Sequence, residues 1–321
     1  MCNSALNARK AEFRRTVLLA CDEAYFPFAA LLSTQIAEAH PKRAFDITIM
    51  ITKDFTIDQA IADLVTRHGI RIILFDTPKT TTPLPVSKHV TIACYQPIFA
   101  PRFLQNDYDR ILYLDSDILY QRADLSRLFD IDLKGRPVGA VRDQMQHREA
   151  GARVQEKRIN EVRHGAYLNT GVLLIETQTY LEQNIDALAL EAAKSDAGLF
   201  HDQSLLNIAL RNNWAELAPH WNWPSHHRYL SMQHLIDPCF VHFIGHRKPW
   251  NSSALIYNRE HVKTYHTFLT RYAPCSLRRH GSLKDTGFAA SILLLSKLRG
   301  RSDRRRIAPY LAGFNDEWDV K

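Results

Sequence analysis

Long apolar runs are the first thing this 321-residue chain lacks. Near the amino end, Val17–Ala20 is too short for the core of a signal peptide. The stretch Phe288–Leu295, interrupted by Ser291, falls well short of the ~20 residues a bilayer-spanning helix needs. The sequence therefore predicts no transmembrane segment. Cysteine is also scarce: Cys2, Cys21, Cys94, Cys239 and Cys275 are odd in number, scattered, and form no CxxC pair. That spacing supports neither a disulfide framework nor a zinc ribbon, and it predicts a reduced, cytoplasmic compartment. No internal repeat and no low-complexity segment occurs, and 45% hydrophobic with 23% charged residues suits a globular chain.

Spread-out positive charge is missing too. The net charge is +7, yet ten Lys and Arg against two acidic residues fall between Arg271 and Arg306. What remains is close to neutral. A general nucleic-acid binder spreads its basic residues over the folded surface, so no nucleic-acid partner is expected. The composition predicts one domain over residues 10–270 and a basic extension over 271–321.

Within the domain, short β-rich runs alternate with helical periods. Thr16–Ala20, Phe45–Ile51, Ile70–Phe75 and Arg110–Leu114 read as strands. Helical patterns run from Tyr25 to about Ala39, over Ile57–His68 and near Ile92–Leu104, with a Thr/Pro-rich loop at Thr77–Pro85. The alternation predicts an α/β fold, a mostly parallel sheet with helices on both faces, whose ligands sit beyond the carboxyl ends of the strands. Pro137–Val141 and Gly171–Ile175 read as further strands, Thr177–Lys194 and Asp202–Arg211 as helices, and Pro219–Trp250 as loops around a short strand at Phe240–Phe243.

The strongest chemical signal is Ile111-Leu-Tyr-Leu-Asp115-Ser-Asp117-Ile-Leu-Tyr120. In extended chain, residues i and i+2 point the same way, so Asp115 and Asp117 can meet one cation just past a strand. A hard divalent ion takes oxygen ligands and shares them with substrate phosphates. A phosphatase of the haloacid-dehalogenase type also places DxD after a strand, and a plain solvated turn fits the motif alone. The second signal is His242-Phe-Ile-Gly245-His-Arg-Lys248-Pro-Trp250. Its imidazole can ligate a metal, its glycine lets backbone approach a phosphate, and its lysine neutralises charge.

Five blocks in order then resemble glycosyltransferase family 8: Leu18-Leu-Ala-Cys-Asp22-Glu-Ala-Tyr25, Tyr113-Leu-Asp-Ser-Asp117, Tyr167-Leu-Asn-Thr-Gly-Val172, His201-Asp-Gln-Ser-Leu-Leu-Asn207, and His242 to Trp250. The resemblance implies a GT-A fold and retaining transfer of a hexose, glucose or galactose, from a UDP-sugar to a surface-glycan or glycolipid acceptor. It implies Mn²⁺, or Mg²⁺, held by Asp115, Asp117 and His242. Asp22 and Tyr25 resemble residues that hold uridine, and Ala20, Ser116 and Thr170 fall beside them on the donor side. Gly245 and Lys248 resemble the diphosphate clamp. Asn169, Asp202 and Gln203 resemble residues at the reacting centre, and Asp143 an acceptor-side contact. Gln203 is a poor nucleophile, which favours stabilising an oxocarbenium-like state over forming a covalent adduct. Trp221, Trp223 and Trp250 offer either an acceptor platform or packing.

One departure stands out. Pro97 falls where the family commonly carries a sugar-contacting Arg, so either Arg102 or Lys88 supplies that cation, donor handling differs, or the chain binds without turnover. In the extension, Phe288, Ile292, Leu295 and Leu298 recur at helical spacing between basic clusters. Such a helix suits the headgroup layer of an anionic membrane, or packing on the domain.

Overall fold

The computed structural model describes residues 9–52, 55–75, 92–147, 166–195, 201–226, 229, 232, 234–251, 256–276 and 283–321. The Thr77–Pro85 loop and Lys88 lie outside them. The first strands are β1 (Arg15–Cys21), β2 (Asp46–Ile51), β3 (Arg71–Leu74) and β4 (Arg110–Leu114). β1 is buried continuously from Thr16 onward, as a parallel strand covered on both faces must be. Three helices connect these strands: α1 (Phe26–Ala39), α2 (Gln59–Arg67) and α3 (Gln96–Leu104). α1 starts with Pro27 in its first turn, where the missing N–H costs nothing. The Asp58 side chain caps α2 by accepting from Ala60 N–H at 2.9 Å.

After the β4 end come β5 (Ile118–Tyr120), α4 (Leu125–Phe129), β6 (Val138–Arg142) and β7 (Leu168–Glu176). Helices α5 (Thr177–Glu182), α6 (Ile185–Ser195) and α7 (His201–Leu210) follow, then β8 (Ala215–Glu216), β9 (Trp223–Pro224), β10 (Phe240–His242), α8 (Arg259–Tyr272) and α9 (Leu283–Leu311). The main sheet is ordered β3-β2-β1-β4-β7-β6-β8, and β5-β10-β9 form a small second sheet. Strands β3, β2, β1 and β4 are mutually parallel. β7 alone runs antiparallel, to β4 and β6, which leaves β6 pointing the same way as β4. The expected mostly parallel sheet is therefore present, with one reversed strand that periodicity could not orient.

Other boundaries moved for local reasons. The helical stretch expected over Thr177–Lys194 is broken between α5 and α6 where Asn184 adopts φ 52°. β8 and β9 are two residues each, too short to show a period.

The end of the chain folds back on the domain. Ile292 and Phe314 join the core, and Ile307 packs with Trp223, Tyr229 and Met232. Glu216 and Lys321 exchange two backbone hydrogen bonds, at 3.1 and 3.0 Å, which extends the sheet edge beyond β8. The expected apolar face of α9 is thus divided: Ile292 is buried while Leu295 and Leu298 are exposed. Phe288 lies where side chains are outside the description. Among the described residues, no helix is long and apolar enough to cross a membrane.

Candidate active site

The sheet topology gathers the polar residues at one edge. Asp22 follows the end of β1 just beyond Ala20, Asp115 the end of β4 and Asp143 the end of β6; β7, running the other way, carries Asn169, Thr170 and Gly171 in its first residues. Asp115 N–H donates to Gly171 O at 2.9 Å, which locks the β4 end to the β7 start.

Asp115-Ser116-Asp117 is a tight turn into β5, with Ile118 N–H donating to Asp115 O at 3.2 Å, rather than the extended segment expected. The two carboxylates converge because the chain folds back. Ser116 Oγ donates to Ala20 O at 3.4 Å, tying the turn to β1. His242 arrives from the second sheet, where it pairs with Ile118. Its Nε2 lies 3.2 Å from Asp117 Oδ1 and 3.6 Å from Asp115 Oδ2. Lys248 Nζ donates to Asp117 Oδ2 and to Phe243 O, and Tyr113 OH donates to Asp115 Oδ1 at 2.7 Å.

These contacts split the titration of the two acids. Burial raises Asp115, and the Asp117 charge adds to it, against partial relief from His242. Burial also pushes Asp117 upward, but Lys248 and His242 together outweigh it and hold Asp117 below the usual carboxylate range.

Asp115, Asp117 and His242 each offer an atom within 4.8 Å of the others. The separations of 3.2 and 3.6 Å from His242 Nε2 are close to the ~3 Å expected between neighbouring ligand atoms of one divalent ion. Asp117 Oδ1 is buried without a hydrogen-bond partner, a vacancy in bonding that a cation would fill. Two oxygens and one imidazole suit a hard or borderline divalent metal.

Beside this acidic cradle lies a cluster of amides. Asn169 Nδ2 donates to Asp143 Oδ2 at 3.2 Å and to Gln203 Oε1 at 3.0 Å. Gln203 Oε1 also accepts from Thr170 N–H at 3.3 Å, while its Nε2 donates to Asp143 Oδ2 at 3.3 Å. Asn207 anchors the same helix by bonding both Leu168 N–H and Leu168 O, at 2.9 and 3.0 Å. Asp202 is raised to about 7 by burial first and the Asp115 charge second, with a Thr170 hydrogen bond opposing.

The remaining expected residues fall as follows. Asp22 Oδ1 accepts from Tyr25 N–H at 3.0 Å, and Tyr25 is part-exposed against Trp250 at the start of α1. Burial raises Tyr25 to about 12, and Asp117 adds to it, which places the phenol in the field of the cradle. Gly245 adopts φ 82°, a left-handed turn that favours glycine. Trp221, Trp223 and Trp250 are all buried; Trp250 stacks on Phe28 at 4.0 Å. The platform reading is corrected: they pack. Arg102 pairs with Asp186 on α6 through two hydrogen bonds, so it does not serve as the replacement cation. Asn222, missed in the sequence, bridges the two halves: its Oδ1 lies 2.9 Å from His242 Nδ1 and its Nδ2 donates to Asn169 Oδ1 at 2.8 Å. No motif surrounds it, and only the β9–β10 pairing brings it near.

A mostly parallel sheet whose carboxyl edge presents an acidic pair, a histidine and a lysine defines the class of GT-A-type α/β proteins. Residues 16–254 match the model of glycosyl transferase family 8, and the chain belongs to that family. It is similar to glycosyltransferase GlyF of Streptococcus pneumoniae, at 34% identity over 58% of this chain and 43% of GlyF. It is also similar to the lipopolysaccharide 1,2-glucosyltransferase of Escherichia coli K12, at 26% over 61% of each. The chain thus spans about half of these relatives' length. The galactosyltransferase LgtC, solved with donor and acceptor sugar analogs, superimposes with a TM-score of 0.63, at 21% identity over 80% of this chain and 96% of LgtC. That likeness establishes the GT-A fold.

Proposed function

We propose that the chain transfers a hexose, glucose or galactose, from a UDP-sugar to a surface-glycan or glycolipid acceptor, with retention at the anomeric carbon and with Mn²⁺ as the preferred metal. The observation that carries this reading is the convergence of Asp115, Asp117 and His242, with Lys248 beside them, next to the Asn169–Gln203–Asp143 cluster at one sheet edge. Asp115, Asp117 and His242 would hold the metal, which when bound would offset charge developing on the leaving diphosphate. Lys248, which donates to Asp117, would supply a second positive charge on the phosphate side. Gly245 gives the diphosphate close backbone approach. Asp22, Tyr25, Ala20 and Ser116 line the nucleoside side, and Thr170 the junction with the sugar.

Asn169, Asp202 and Gln203 surround the reacting carbon, with Asp143 toward the acceptor. Gln203 Oε1 already accepts two N–H groups, so its lone pairs are engaged. That makes it a poorer nucleophile and weighs against covalent attack on the sugar. The bond from the sugar to the diphosphate breaks, the acceptor hydroxyl bonds the same face, and its proton goes to a leaving phosphate oxygen.

The same proposal places the enzyme in the cytoplasm, at the inner membrane face. On α9, Leu294, Leu298, Arg301 and Arg305 recur at helical spacing and all are exposed, Leu298 at 73%. Each basic residue near an anionic surface contributes about 1 kcal/mol. The function is tested with a panel of nucleotide sugars and Mn²⁺, reading nucleotide release with and without glycan or glycolipid acceptors and the product anomer by NMR. UDP-hexoses should turn over to α-linked product; an inverted product, or preference for another nucleotide, contradicts the reading. Co-sedimentation with anionic and neutral liposomes tests the membrane placement, and equal pelleting with both contradicts it.

A further inference from the structure

His242 can face a metal through Nε2 only if its ring is held, and a hydrogen bond at the other nitrogen is the usual means. The hydrogen-bond chain behind it can be oriented from a backbone donor. Gly171 N–H can only donate, and it meets Asn169 Oδ1 at 3.0 Å, so that atom is the oxygen. Asn222 approaches the same oxygen at 2.8 Å and must do so with its NH₂. The Asn222 oxygen is then left for His242 Nδ1 at 2.9 Å, so Nδ1 carries a proton and Nε2 is the nitrogen that faces Asp115 and Asp117, where a metal would take its lone pair. Both Asn222 and His242 are buried, so water does not compete for these bonds.

Backbone structure fixes the relay. Asn222 closes a 3₁₀ turn, Pro219–Asn222, directly before β9, and β9 pairs with β10 at Pro224 and His242. Gly171 leaves the room: a Cβ there would lie 2.3 Å from His242 Cε1.

We propose that Asn222 is a positioning residue with two separable tasks. Its oxygen holds His242 in the metal-binding tautomer, and its NH₂ ties that ring to Asn169 and, through it, to Gln203 and Asp143. The proposal rests on the metal site described above.

The test is Mn²⁺ binding to the full chain without donor, read by the electron paramagnetic resonance of free Mn²⁺, alongside kcat with the best UDP-hexose. Asn222→Ala, which removes both bonds, should weaken Mn²⁺ about 10- to 100-fold. Asn222→Asp keeps an acceptor for Nδ1–H but has no donor for Asn169. It should hold Mn²⁺ within about threefold of wild type while kcat falls at least about tenfold. His242→Ala with Asn222→Ala should bind no more weakly than His242→Ala alone, because the two act as one unit. If Asn222→Ala does not fold, Asn222→Ser, whose shorter side chain draws back from both His242 Nδ1 and Asn169 Oδ1 with less lost volume, should show the same loss of Mn²⁺ affinity. Wild-type affinity in Asn222→Ala, equal losses in Ala and Asp variants, or additive losses with His242→Ala overturn the role. A wild-type chain that takes up no Mn²⁺ overturns the metal site itself, and this role with it.

Discussion

The two halves of the site are built from opposite materials. The half formed by Asp115, Asp117, His242 and Lys248 is ionic: burial and the Asp117 charge raise Asp115, while Lys248 and His242 lower Asp117. The half formed by Asn169, Gln203 and Asp143 holds one carboxylate and two amides, whose oxygens are pinned by the backbone N–H groups of Gly171 and Thr170. The first keeps its charges in ion pairs, Lys248 and His242 against the two acids, for which a bound dication would compete. The second has nothing to exchange, and its hydrogen bonds keep geometry constant while charge changes next door. Charge handling and shape keeping are thus separated, and Asn222 is where they touch.

Removing charge from one half alone should have the largest effect. Asp117→Ala should abolish Mn²⁺ binding and lower turnover by about 10³-fold or more, with the fold intact by circular dichroism. Gln203→Ala should cost about 10²-fold in kcat yet leave Mn²⁺ affinity at the wild-type value by the same titration. A loss of metal in the second variant would show that the halves are not separable. Gly171→Ala attacks both at once, since its Cβ would lie 2.3 Å from His242 Cε1. It should destabilise by about 1–3 kcal/mol in denaturant unfolding and weaken metal binding together.

A subtler test uses Asp202, raised to about 7. A carboxyl whose pKa is raised by folding binds more protons folded than unfolded between the two values. Its contribution to stability therefore falls as pH rises from the unfolded value, near 4, through about 7. Metal-free protein should lose thermal stability across that window, and Asp202→Asn should flatten the decline; an unchanged slope contradicts the assignment. The smallest effect on catalysis is expected for Arg102→Ala. It breaks the pair with Asp186, a buried partner, and should lower Tm while donor KM and kcat stay at wild-type values.

Much of the ionic half was legible because its residues lie in two short motifs, each a strand end followed by chemistry at fixed spacing. The turn at Ser116 was not, because an i, i+2 pair looks the same whether the chain runs straight or folds back. Arg102 illustrates the limit of helical spacing: one turn beyond Pro97 says nothing about which face it leaves from, and α6 supplies Asp186 from 84 residues away. Asn222 was illegible for the same reason. Its partners sit 20 and 53 residues distant and meet only through sheet pairing. The parallel strands showed as buried apolar runs, whereas β7 gave the same signal and its reversed direction belongs to tertiary structure.

Metal-dependent transfer is tested most directly by UDP release from UDP-glucose and UDP-galactose by the purified full chain, in Mn²⁺ and in excess EDTA, with Asp117→Ala alongside. Release in Mn²⁺ that disappears in EDTA and in Asp117→Ala is the predicted result; equal release in EDTA, or in the Asp117→Ala chain, would contradict it.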